Sequence, residues 1–170
     1  MVSTLSKIVM RATAIFCEST LTICRRLLAA LVLMAVGLGG SQAWSRDKAE
    51  AEESARKLAA MFEKERFEFR AEAWVKDLGP DVGKALRVQL FKGNDYRFCV
   101  AVPPDSGVHV TAAVLDFEGK PTGEIEPVLD GWGCVLSFKP GKTGVYVIAV
   151  RQETTGKKRE VPCAVITGYR

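Results

Sequence analysis

Hydrophobic and polar positions along this chain follow three different rhythms. The stretch Leu27 to Gly40, LLAALVLMAVGLGG, has no polar interruption at all. Residues 45–72, SRDKAEAEESARKLAAMFEKERFEFRAE, contain no Gly or Pro. Within them Ala55, Leu58, Met61 (or Phe62), Glu65 and Phe69 recur near the i, i+3, i+4, i+7 spacing of one helical face. The spacing predicts a helix of about five to seven turns, with Ser45 as N-cap and with Asp47 and Glu50 in the first turn, where the helix dipole favours negative charge. Its apolar stripe is narrow, the kind that docks on the protein's own domain.

Beyond Leu78-Gly79-Pro80-Asp81, which breaks either period, the rhythm changes to two. Leu86, Val88 and Leu90 share one face; so do Tyr96, Phe98, Val100 and Val102, and Val108, Val110, Ala112 and Val114. Cys134, Leu136 and Phe138 form a further strand, followed by Tyr146, Ile148 and Val150, and last by Cys163, Val165 and Thr167. Turn signals separate them at Lys92-Gly93-Asn94-Asp95, Pro103–Gly107, Glu118–Pro121 and Lys139-Pro140-Gly141. Short alternating strands at such intervals predict an antiparallel β-sandwich over 84–170, preceded by a helical segment and linker over 44–80. Lys157-Lys158-Arg159 reads as a charged hairpin tip that keeps an edge from pairing.

The uninterrupted apolar stretch reads differently. As a helix its fourteen residues would span roughly 21 Å, short of a ~30 Å hydrocarbon core and well matched to the apolar region of a signal peptide. Gly39 and Gly40 are expected to break that helix, and Ser41 and Ala43 place small residues at −3 and −1 of a cleavage site. Residues 1–43 are therefore expected to be a signal peptide, with Trp44 the first mature residue. Arg25-Arg26 matches a twin-arginine signal only in part, and an uncleaved anchor is the alternative.

That division changes how charge and cysteine content read. The 170 residues carry 24 Lys+Arg, 20 Asp+Glu, one His and a net charge of +4. Residues 1–43 hold Lys7, Arg11, Arg25 and Arg26 against Glu18 alone, so the remainder is nearly neutral. The basicity belongs to the leader, which argues against a nucleic-acid partner. Of the five cysteines, Cys99, Cys134 and Cys163 stay in the mature chain. In an oxidising compartment two are expected to pair. None of the three spacings is C-x-x-C, the signature of a zinc knuckle or thioredoxin-type site.

The strand motifs also occur in a recognisable order. Leu90-x-x-Gly93-x-x-Tyr96-x-Phe98-x-Val100 is followed by Leu115-Asp116-x-x-Gly119, then by Phe138-x-Pro140-x-x-Thr143-Gly144-x-Tyr146-x-Ile148-x-Val150. Over residues 84–170 this resembles the bacterial pre-peptidase C-terminal domain, a jelly-roll-like β-sandwich related to the collagen-binding domains of secreted collagenases. The resemblance implies an extracytoplasmic, non-catalytic module that assists secretion, folding or attachment. Relatives commonly trail a catalytic domain, whereas here none is visible. In a jelly-roll arrangement the Tyr96–Val102 strand would lie beside the last one, which favours a Cys99–Cys163 disulfide; Cys134–Cys163 stays open as the other pairing.

Candidate chemistry is sparse. His109 lies on the strand face opposite Val110 and Ala112 and reads as a solvated or hydrogen-bonded strand histidine. Asp116, Glu118, Glu124, Glu126 and Asp130 form an acidic stretch without the D-x-D-x-D-G calcium loop. Asp130-Gly131-Trp132-Gly133 is the most distinctive loop: Trp132 can serve as a stacking platform for a sugar or peptide, or plug the end of the sandwich. No catalytic residue, metal or cofactor is expected. The reading is an exported, non-catalytic binding or accessory module, periplasmic or secreted. Its partner would be a glycan, a peptide or an envelope protein, with no membrane span once the leader is removed. A structural or assembly role in the envelope, acting through the 45–72 helix, is the alternative.

Overall fold

The computed structural model describes residues 39–170, with side chains from Trp44 onward except that of Leu129. The body of the molecule is the compact unit Ser45–Arg170. Helix α1 spans Gly39–Ala60 and is followed by ten strands. These are β1 (Glu68–Phe69), β2 (Trp74–Leu78), β3 (Lys84–Leu90), β4 (Tyr96–Ala101) and β5 (Val108–Leu115), then β6 (Pro121–Thr122), β7 (Glu124–Pro127), β8 (Gly133–Phe138), β9 (Gly144–Gly156) and β10 (Val161–Tyr169).

All strand pairings are antiparallel. The first sheet runs β1-β10-β4-β8-β7, with β2 also on β10, and the second runs β3-β9-β5-β6. The orders β2-β10-β4-β8 and β3-β9-β5-β6 are the two four-stranded sheets of a jelly roll, to which β1 and β7 add short edges. The predicted β-sandwich preceded by a helix is the observed architecture.

Side chains alternating inward from both sheets fill the space between them. Phe98, Val100, Leu136, Val110, Val114, Ile148 and Val165 are all buried there, at no more than 1% exposure. Those positions are the inward phase expected from the period of two. The opposite phase of the first sheet is buried as well: Cys99, Ala101, Val135, Ala164 and Ile166 pack under Ala51, Ala55, Leu58 and Ala59 of α1. Small residues on both surfaces let the helix lie close to the sheet. The molecule therefore has three layers, helix, first sheet and second sheet.

The helix differs from expectation at both ends. Gly39 and Gly40, expected to end the preceding apolar helix, are the first residues of α1, and Ser45 lies within it rather than capping it; the expected leader before Gly39 lies outside the described residues. Its buried face is Ala51, Ser54, Ala55, Leu58 and Ala59, while Met61 is 68% exposed and Glu65 is exposed. After Ala60 the chain tightens into a 3-10 turn at Glu63–Glu65 and reverses at Arg66, which adopts φ 65°. Residues 67–72 therefore leave the helix, because Phe67 and Phe69 are wanted elsewhere. Phe67 is buried beneath the guanidinium groups of Arg170 (4.6 Å) and Arg97 (5.4 Å). Phe69 enters β1, and β1 and β2 together pair the free edge of β10. Strand β2 occupies residues assigned from sequence to a linker. The Lys157–Arg159 segment is also no hairpin tip, since β9 and β10 lie in different sheets and it crosses between them.

The expected disulfide is absent, and the geometry shows why. Cys99, Cys134 and Cys163 are free, buried thiols. Cys99 faces α1 whereas Cys163 faces the second sheet, so the two lie on opposite faces of the first sheet. Cys134 and Cys163 share a face, but β4 stands between β8 and β10. Two strand spacings, ~9.6 Å, exceed the ~7 Å Cα separation that a disulfide tolerates. Burial pushes the Cys99 and Cys134 thiols up to about 12 and raises Cys163 further in the same direction. All three act as small core residues.

Candidate binding face

Among the described residues the first sheet is covered by α1 and the outer face of the second is open. Its residues are the outward phase of β3, β5 and β9, and they are unusually short and apolar for a solvated face. Ala85, Ala149 and Ala113 align in one row across the three strands, Arg87, Val147 and Leu115 in the next, and Arg151 stands opposite Thr111. Over this floor lies a groove of about 580 Å³, within the size range of small-ligand sites. Pro80, Asp81, Val82 and Gly83 of the β2–β3 connection wall one side, with Leu115 and Pro121 among the other lining residues. The connection can lie this low because of Gly83, where a Cβ would stand 2.9 Å from the Val150 carbonyl oxygen. Lys84 and Arg151 bring positive charge to the lining and Asp81 is its one acid.

Beyond Thr111 on the same face of β5 is His109. Its imidazole sits between Gly131 and Gly156, both at positive φ, and a Cβ on either would come within 2.9 Å of the ring. His109 Nδ1 is 3.2 Å from Thr155 Oγ1, which donates its proton to Glu153 Oε2 at 3.1 Å. Since the hydroxyl proton is engaged by the carboxylate, Thr155 accepts from His109. A proton is thereby placed on Nδ1. The arrangement orients a ring at the end of the open face. Among the described residues no thiol shares that surface, because Cys99, Cys134 and Cys163 are buried.

Trp132 does not line the groove. It is half-buried and packs against both the inter-sheet core and the helix-facing core, and its carbonyl accepts from Val102 N–H at 2.9 Å. The structure does not gather the acidic stretch either. Asp116 Oδ1 accepts the Glu118 and Lys120 amides at 2.9 Å and so closes its own turn, and Glu118 pairs with Lys120 at 2.6 Å. Glu124 and Glu126 are exposed on β7, and Asp130 is exposed at φ 67°. Among the described residues no group of three His, Cys, Asp or Glu side chains is placed to hold a metal ion.

A second concavity, about 530 Å³, lies beside Asp95, Arg97, Lys139 and Arg170. Its cations are spent on Asp95 and Glu65. Lys139 and Arg170 pair with Asp95 at 3.1 and 3.3 Å, and Arg97 and Arg170 approach Glu65 at 3.7 and 3.9 Å. The hydrogen bond from Lys139, ahead of that from Arg170, holds the Asp95 carboxyl below its ordinary value. This is a latch between the end of β10, the β3–β4 turn and the segment after α1.

The residues of the groove were not singled out by sequence, although a signal was present. In β5 and β9 both phases are apolar, with Ala113, Leu115, Val145, Val147 and Ala149 where a solvated face carries long polar side chains. Comparison with protein-family models yields no match to the chain, and comparison with curated proteins yields none either.

Proposed function

We propose that this chain is an exported, non-catalytic binding or accessory module of the pre-peptidase C-terminal type, whose signal peptide is removed after Ala43. The observation that carries the reading is the asymmetry of the sandwich. One sheet is closed by the protein's own helix, and the other presents an open, concave, small-residue face with a groove of about 580 Å³. A jelly roll with one sheet face left free is a scaffold for recognition. Export is supported by the leader pattern of the sequence. The face of α1 that an assembly role would use is occupied by the first sheet, so the binding reading is preferred.

The test is a panel of immobilised glycans, peptidoglycan and peptides presented to the full chain and to two variants. Ala149→Phe fills the groove and Trp132→Ala removes the loop aromatic. A ligand lost on A149F and kept on W132A is the expected result. A panel in which neither substitution changes any binding would sink the proposal. Fractionation with N-terminal sequencing tests export; a mature start far from Trp44 counts against it.

A further inference from the structure

We infer that the groove on the second sheet binds an extended acidic peptide, held by Arg87 and Arg151 above the Ala85, Ala149, Ala113 row with Lys84 at its β3 edge; this rests on the binding-module reading. Charge is the first argument. Arg151 lines the groove, Arg87 stands two positions beyond Ala85 on the same outward face of β3, and Lys84 borders the groove at the edge of β3, in the phase of Leu86. None of the three enters an ion pair among the described residues, whereas the cations of the second concavity are neutralised by Asp95 and Glu65. Asp81 at the rim is the one acid lining the groove, and Glu153 lies outside that lining, further along β9. Unpaired cations around a concave face attract anionic partners and steer their approach.

The floor selects a polypeptide over a sugar. No aromatic ring lines the groove, so a pyranose would find no face to stack on. Three methyl side chains in register instead allow a backbone to approach closely. Val82, 65% exposed, together with Leu115 and Pro121, offers apolar walls to the small side chains that alternate with acidic ones in an extended chain. From β3 to β6 the face spans three strand spacings, ~14 Å, which an extended peptide covers with about four to five residues. Two-fold pairing of this face with a second copy would bring like cations together and is disfavoured on the same ground.

Fluorescence anisotropy of the full chain with a labelled peptide of Glu-Val-Glu-Ala repeats tests this, beside the same peptide with Gln for Glu and soluble polygalacturonate as competitor. Saturable binding of the acidic peptide at low salt is expected, with little binding of the Gln form. The double variant Arg87→Glu, Arg151→Glu should weaken it by about tenfold or more, and Ala149→Phe should abolish it while keeping a cooperative thermal transition. Equal binding of the Gln peptide, indifference to the charge reversals, or no saturable binding overturns the inference. Polygalacturonate or the Gln peptide binding in a way that A149F blocks overturns the acidic-peptide assignment alone and leaves the binding module standing. A full panel on which A149F and W132A have no effect removes both.

Discussion

The two sheets of this sandwich share one core yet live under different constraints. In the first, β4 and β10 are buried on both faces: every residue from Phe98 to Ala101 and from Val161 to Gly168 is buried. In the second, β5 alternates buried and half-buried positions along its whole length. The difference is made by α1, whose Ala51, Ala55, Leu58 and Ala59 take the outer face of the first sheet out of water. The lesson is that one short amphipathic helix sets which sheet carries stability and which is free to vary. Matched substitutions test it most severely. Ala164 lies under the helix and Ala149 on the open face. Ala164→Glu buries an unpaired charge and should cost at least about 4 kcal/mol, enough to unfold a marginal domain. Ala149→Glu should stay within about 1 kcal/mol. Urea denaturation of both variants decides the matter, and similar costs would break the comparison.

Truncating the helix contact itself comes next. Leu58 is 4% exposed, and its Cδ1 stands 3.2 Å from where a Cβ of Gly133 would be. Leu58→Ala removes a knob from the helix–sheet interface and leaves a cavity, so a loss of about 2–4 kcal/mol is expected in the denaturation midpoint. Leu115→Ala, half-buried on the open face, should cost clearly less. If the two lose equally, α1 is not what distinguishes the sheets.

How much of this was legible in the sequence follows from the same contrast. The period of two located the inter-sheet core almost residue by residue, from Phe98 and Val110 to Ile148 and Val165, because inward positions of both sheets face one apolar layer. It could not show that Cys99, Ala101, Ala164 and Ile166 are buried on the opposite phase, since that depends on where a helix distant in sequence docks. The same blind spot produced the expected disulfide: Cys99 and Cys163 were placed on neighbouring strands correctly, but their phases point to opposite sides. The helix was carried too far because no Gly or Pro marks its end, and tertiary demand for Phe67 and Phe69 overrode local propensity. For the candidate site, Trp132 stands out by its glycine neighbours, whereas the groove is assembled from alanines and isolated cations on three separate strands. Only the register brings those together.

The buried thiols offer a pH-dependent measure of the layers. Cys99 lies between helix and first sheet, Cys134 and Cys163 between the sheets, and burial raises all three, Cys99 and Cys134 to about 12. A folded-state value above the unfolded one favours the neutral form, so this contribution is complete below about pH 9 and is lost as pH rises from there toward 12. At pH 10 each thiol should cost the fold about 1 kcal/mol relative to pH 8. Denaturation midpoints across that window, compared with a C99A variant, report the helix-side share. Thiol titration of the folded chain at pH 8 should find all three unreactive; fast labelling of Cys99 alone would mean that α1 lifts from the sheet.

The smallest effect belongs to the solvent side of α1. Arg56 pairs with Glu52 at 2.6 Å and Lys57 with Glu53 at 2.9 Å, each one helical turn apart and substantially exposed. Such pairs contribute about 0.3–0.5 kcal/mol and are screened by salt. Arg56 differs from Lys57 in one respect: its guanidinium also donates to the Ala71 carbonyl at 2.6 Å, tying the helix to the segment before β2. Arg56→Ala should therefore cost more than Lys57→Ala, and the excess should persist at high salt, because it comes from a hydrogen bond rather than from a screened pair. Equal midpoints for the two variants at high salt would assign α1's hold on the body to its buried face alone, which is the comparison in its sharpest form.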